Sequence, residues 1–127
     1  MLADNLIGLV VKNANERPRD VAIREKRFGI WRPMTWQELH DNIQRFALGL
    51  RAVGFENGSN LMIIGDNKPE WIIAEFASMA AGGVPTGAYP DSLAEELEYL
   101  ITYSDAAFLV GRDQEQAANF LSMWKRI

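Results

Sequence analysis

From Thr35 onward, helical apolar stripes and short apolar runs take turns along the chain. The stretch after Thr35 places Trp36, Leu39, Ile43, Phe46, Ala47, Leu50 and Val53 at spacings of three and four, which is one face of a helix. Thr35 and Glu38 stand at the capping-box spacing ahead of it, and Gly54 follows it as the stop residue. Then comes Leu61–Ile64, four apolar residues in a row, the pattern of a strand buried on both faces. Helix, strand, helix, strand, helix, strand, helix is the full order. Alternation of this kind implies parallel strands joined by right-handed crossovers, with helices on the faces.

The corner after Leu61–Ile64 reads GDNKPEW, Gly65 to Trp71. Asn67 is the predicted N-cap, Pro69 sits just inside the helix where a missing N–H costs nothing, and Glu70 suits the positive end of the dipole. That helix runs to Gly82-Gly83, with Trp71, Ile72, Ala74, Phe76, Ala77 and Ala80 apolar on several sides, so it is expected to be covered. GVPTGAYP supplies a short strand and a turn. Ser92 is the predicted cap of the next helix, whose Leu93, Leu97, Leu100 and Ile101 face one way, with Glu95, Glu96 and Glu98 on its first turn and solvated face. AAFLV reads as another buried strand, and a last helix carries Phe120, Leu121 and Trp124 on its apolar side.

Ahead of the alternation, DVAIREKRFGIWRPMTW reads as a β-hairpin. Val21 and Ile23 alternate with polar neighbours, Gly29 marks the turn, and Ile30 and Trp31 begin the return. The first residues form an amphipathic helix, with Leu6, Leu9 and Val10 inward, ending before Pro18. The predicted fold class is therefore α/β: a largely parallel sheet with flanking helices plus an N-terminal β-hairpin.

Composition narrows the function. The 127 residues suit one domain, which buries roughly two-thirds of its unfolded surface. A net charge of −4 offers no basic stripe for a phosphate backbone, so no nucleic-acid partner is expected. The chain lacks cysteine and so has no disulfide framework, thiolate nucleophile or zinc–thiolate site. No apolar run approaches the roughly 20 residues of a transmembrane segment. The first residues lack the basic start of a signal peptide. The expected location is cytoplasmic, with a peripheral membrane position as the second expectation, through an amphipathic face.

Catalytic motifs are scarce. Neither a G-x-G-x-x-G nor a G-x-x-x-x-G-K-[ST] loop is present. His40 is the sole histidine, and spacing identifies no nucleophile beside it, so it reads as structural. The GDNKPEW corner has two readings: a capped turn anchored by Trp71, or the edge of a site at the carboxyl end of a strand.

Read together, REKRFGIWRPMTWQEL, ALGLRAVGFENGSNLMIIGDNKPEW, AGGVPTGAYPDSLAEELEYLI and DQEQ give the chain, from about Val21 to Gln116, a pattern that resembles the N-terminal part of the adenylate-forming acyl-CoA synthetases. GIW ahead of TW, and GAYPDS, resemble the bacterial long-chain fatty acid–CoA ligases of this AMP-binding enzyme family. The resemblance implies a two-step reaction: a fatty acid carboxylate attacks the α-phosphate of ATP, and coenzyme A then displaces AMP from the acyl adenylate, with Mg2+ neutralising phosphate charge. It also implies that residues 1–127 are an N-terminal subdomain whose phosphate loop, nucleotide contacts and catalytic lysine lie elsewhere. An end at Ile127 without a helix stop fits such a piece. Lys12, Lys26, Lys68 and Lys125 match none of those motifs, so no catalytic residue, metal ligand or fragment-bound cofactor is expected. Asp66, Asn67, Tyr89 and Pro90, at the carboxyl ends of two strands, are the candidate site-edge residues. Packing against the rest of a synthetase, or homo-oligomerisation through exposed apolar surface, is the expected protein contact. Two other readings stand beside this one: a non-catalytic ligand-binding or interaction module on the same scaffold, and a ligase for another carboxylic acid.

Overall fold

The computed structural model describes residues 5–123. Its elements are α1 (Leu6–Glu16), β1 (Val21–Arg27), β2 (Ile30–Thr35), α2 (Trp36–Ala52), β3 (Asn60–Ile64), α3 (Pro69–Ala80), β4 (Val84–Ala88), α4 (Ala94–Ser104), β5 (Phe108–Gly111) and α5 (Gln114–Met123). β1 and β2 form an antiparallel hairpin, and β4-β3-β5 form a parallel sheet with β3 in the middle. The predicted α/β class, the hairpin and the parallel pairing are all present.

β3 is central because its side chains are apolar on both faces. Leu61 and Ile63 point to one side, where they join Val10 of α1, Leu39, Ile43 and Leu50 of α2, and Ala74 and Ala77 of α3. Met62 and Ile64 point to the other, where they meet Ala88 with Leu97 and Ile101 of α4. The crossover through α3 thus covers one face and the crossover through α4 the other, as right-handed connections leaving β3 and β4 in opposite directions require.

The start of α2 forms as its spacing predicts. Glu38 N–H donates to Thr35 Oγ1 and Thr35 N–H donates to Glu38 Oε2, both at 3.2 Å. Gly54 follows with φ of 99°, the left-handed stop. Two other caps differ from expectation. α3 is capped at Lys68 without a side-chain bond, not at Asn67. Pro69 at the first helical position forces the residue before it to be extended, and Lys68 sits at φ −126°, ψ 164°. Asn67 is thereby left one residue too early. α4 likewise starts past Ser92, at Leu93. Ser92 N–H instead closes a turn onto Tyr89 C=O at 3.2 Å. Glu96 Oε2 accepts the Leu93 N–H at 3.1 Å; a leucine side chain accepts nothing, so only the carboxylate half of a capping box forms.

Some apolar residues placed inward by periodicity are exposed. α1 packs through Val10 and Ala14, flanked by the half-buried Ile7 and Val11, while Leu6 and Leu9 face outward; the inward face is turned about the helix axis from the one expected. Val53, Ala80, Leu93 and Leu121 are exposed as well, each lying at or near a helix end beyond the packed turns. β5 is half-buried, not fully buried, because it is an edge strand paired with β3 alone among the described strands. Trp124 and Lys125 lie outside the described residues, as does the side chain of Phe120.

Candidate functional site

Parallel pairing brings the carboxyl ends of β3, β4 and β5 to one edge. Ile64 stands beside Ala88 on one side and Gly111 on the other. Each strand then turns out of the sheet: Gly65-Asp66-Asn67 after β3, Tyr89-Pro90 after β4 and Arg112 after β5. In the order β4-β3-β5 the reversal of winding falls between β3 and β5, and the crevice outside such a reversal is where open α/β sheets receive ligands.

Two cavities lie along this edge. The one between β3 and β5 has a volume of about 310 Å³, with Asp66, Lys68, Trp71 and Arg112 in its wall. The one between β3 and β4, about 510 Å³, is bordered by Asp66, Asn67, Trp71, Gly87, Tyr89 and Pro90. All four candidate residues from the sequence therefore meet around one hollow. Tyr89 is 79% exposed at its rim.

The Trp71 indole is common to both cavities. It also packs against the core beneath them, so the packing anchor and the cavity wall are the same side chain. Gly87 allows this. A Cβ there would stand 2.7 Å from Trp71 Cζ2, so only a bare backbone lets the ring lie this close to β4. Gly65 has ordinary clearance, its Cβ position 3.5 Å from Arg112 Cβ.

Asp66 and Arg112 face each other across the end of the β3–β5 crevice, Oδ2 to Nη1, at 3.6 Å. Arg112 Nε donates to Asp113 Oδ2 at 2.8 Å. That bond holds the guanidinium even more firmly charged than usual, partial desolvation opposes it, and the Asp113 and Asp66 charges add to it. Arg112 is the residue that sequence reasoning missed. Applying the strand-end rule to β5 as well as to β3 and β4 would have found it. His40 lies away from this edge, on α2. Its Nδ1 stands 3.2 Å from Asp41 Oδ1. Hydrogen bonds from His40 and Gln37 pull the Asp41 carboxyl below its ordinary value.

Chemically the edge offers an aromatic wall, the Asp66 and Glu70 carboxylates, the Asn67 amide, the Lys68 ammonium and an arginine already engaged by two carboxylates. Such a set can bind and orient a ligand. Among the described residues, no group of three or more His, Cys, Asp or Glu side chains converges on a metal-sized space.

A doubly wound parallel unit with an open carboxyl edge is the class that this geometry defines. The comparisons narrow it. The model of the AMP-binding enzyme family matches residues 10–126, and the chain belongs to that family. Long-chain-fatty-acid–CoA ligase heimdall of Drosophila melanogaster is 32% identical over 97 residues, which are 76% of this chain and 14% of that protein. A long-chain-fatty-acid–CoA ligase of Mycobacterium tuberculosis is 29% identical over 114 residues, 90% of this chain and 19% of its own length. The chain thus spans under a fifth of these relatives. Among solved structures, an anthranilate CoA ligase in complex with anthranoyl-AMP superposes with a TM-score of 0.82 at 19% identity, over 92% of this chain and 22% of that one. That likeness establishes the shared fold.

Proposed function

We propose that residues 1–127 are the N-terminal subdomain of an ATP-dependent long-chain fatty acid–CoA ligase. The observation that carries this reading is the family match over residues 10–126, joined to relatives that are themselves long-chain-fatty-acid–CoA ligases. In the whole protein, fatty acid and ATP give acyl adenylate and pyrophosphate. Coenzyme A then gives acyl-CoA and AMP. Mg2+ accompanies the first step. The proposed location is cytoplasmic, with a peripheral membrane position as the second expectation.

Within that protein this subdomain is scaffold and site edge. Asp66, Asn67, Tyr89 and Pro90 border the substrate-facing side of the sheet, and the phosphate-binding and catalytic groups come from other segments. The 127-residue chain alone is therefore inactive. The test has two arms. Sequencing the coding DNA past the Ile127 codon reads whether a Ser/Thr/Gly-rich loop follows. Assaying the 127-residue chain with ATP, Mg2+, palmitate and coenzyme A gives no acyl-CoA; turnover by this chain would overturn the scaffold reading.

One observation favours a second reading, a binding module on the same scaffold: the 510 Å³ hollow with all four site-edge residues around it. Titration calorimetry of the chain with palmitate, ATP and coenzyme A separates the two. Micromolar binding of one of them by the isolated chain supports the module.

A further inference from the structure

We propose that the outer half of the β1–β2 hairpin is a finger that docks on an anionic lipid surface, entering tip first. The inference does not rest on the ligase reading.

Packing ends early on this hairpin. Ile23 and Met34 reach the core near its base, but from Lys26 to Pro33 every residue is exposed. A two-stranded ribbon with both faces in water is marginal by itself. This one nonetheless carries large apolar side chains, with Phe28, Ile30 and Trp31 all exposed.

The tip is the most telling position. Phe28 and Gly29 take φ of 50° and 79°, the turn that normally selects Asn-Gly or Asp-Gly. A bulky aromatic residue in the left-handed region is an outlier. Phe28 is also 96% exposed. With its ring almost wholly exposed, Phe28 presents an apolar surface to whatever lies beyond the described fold.

The surrounding charge says what that is. Arg24, Lys26, Arg27 and Arg32 crowd around the tip with Glu25 as the one acid between them, in a chain whose net charge is −4. Cross-strand pairs set their arrangement. Lys26 opposes Trp31, with the ammonium 5.7 Å from the indole centroid, and Arg27 opposes Ile30. Successive pairs point to opposite faces, so Arg24 and Lys26 share a face with Trp31, and Arg27 and Arg32 share the other with Ile30 and Glu25. Lying flat on a bilayer would bury a cation on either face. Tip-first entry does not: Phe28 leads into the acyl boundary, Trp31 sits at headgroup level, and the cations behind meet lipid phosphates. A net charge of −4, with these cations divided between two faces, offers no continuous basic stripe for a nucleic-acid backbone.

Flotation of the 127-residue chain with vesicles tests this. Vesicles of phosphatidylglycerol and phosphatidylcholine should carry the chain at low salt with a blue shift of tryptophan emission, and pure phosphatidylcholine should not. The shift should vanish in Trp31→Phe. Phe28→Asn places a favoured residue in the left-handed turn, so the melting temperature holds or rises while vesicle binding falls by about tenfold. Arg24→Gln/Lys26→Gln/Arg27→Gln lowers binding by about 100-fold with the circular dichroism unchanged. No binding to the anionic vesicles, equal binding to phosphatidylcholine, or undiminished binding by both variants overturns the proposal. So does tighter binding to a DNA duplex than to the vesicles.

Discussion

The two ends of the parallel sheet are built differently. At the amino end Phe55 is 2% exposed, its ring centroid 5.1 Å from that of Phe108 at the start of β5. The same ring lies over Gly83, just before β4. Backbone bonds stitch the connections there: Gly58 N–H to Gly82 C=O at 2.8 Å, Val84 N–H to Ser59 C=O at 2.9 Å, and Ala107 N–H to Asn60 C=O at 3.0 Å. Arg51 adds bonds to Ala81 C=O and Asn57 Oδ1, both at 3.1 Å. At the carboxyl end the same three strands open onto two cavities and an ion pair of 3.6 Å. One end supplies stability and the other a free surface, the division expected where a rigid scaffold presents ligand-facing loops.

Phe55→Ala should therefore have the largest effect. It removes a buried ring that three segments share, at a cost of about 3–5 kcal/mol. Urea unfolding followed by circular dichroism measures it. A loss below about 1 kcal/mol would mean that the amino end collapses around the gap, and the contrast between the ends would fail.

Glycine substitutions on either side of one strand sharpen the comparison. At Gly83 a Cβ would fall on the Phe55 ring and 2.5 Å from the Ser59 carbonyl oxygen. Neither neighbour can retreat, so Gly83→Ala should cost about 2–3 kcal/mol. At Gly87 the new Cβ meets the outer edge of Trp71, 2.7 Å away. That ring has cavity on both sides and can swing, so Gly87→Ala should cost about 1 kcal/mol. It should also shift the tryptophan emission as the indole moves. Equal costs at the two glycines would show that the carboxyl end is packed as tightly as the amino end.

What was legible in the sequence follows the same line. β3 was readable because burial on both faces needs an uninterrupted apolar run, and Leu61–Ile64 is one. The α2 cap was readable because Thr35 and Glu38 carry both halves of the box within four residues. That Asp66, Asn67, Tyr89 and Pro90 share one hollow follows from strand order and direction alone, which is all the strand-end rule needs. Apart from one local failure, at Asn67, the misses came where distant segments decide. Asn67 looks like a cap until Pro69 fixes the residue between them. The Phe55–Gly83–Phe108 seal joins three segments that no local pattern links. Arg112 reaches Asp66 only because β5 lands beside β3 rather than beside β4. Leu6 and Leu9 fit a helical stripe, yet which face of α1 turns inward is set by where α2 and α3 meet it.

Asp66→Asn should have the smallest effect and is the most direct check on the open end. Asp66 and Arg112 are both well exposed, and pairs of this kind contribute about 0–1 kcal/mol. Removing the Asp66 charge leaves no orphaned cation, because Arg112 keeps its 2.8 Å bond to Asp113. The expected change is within about 0.5 kcal/mol at moderate salt. It should shrink further in 1 M salt, where the Debye length falls to about 3 Å and an exposed pair is screened. Urea unfolding at the two salt concentrations reads both effects. A loss above about 2 kcal/mol that persists in high salt would place Asp66 in the structural core. The carboxyl edge would then be a second seal, held by charge where the amino end is held by Phe55.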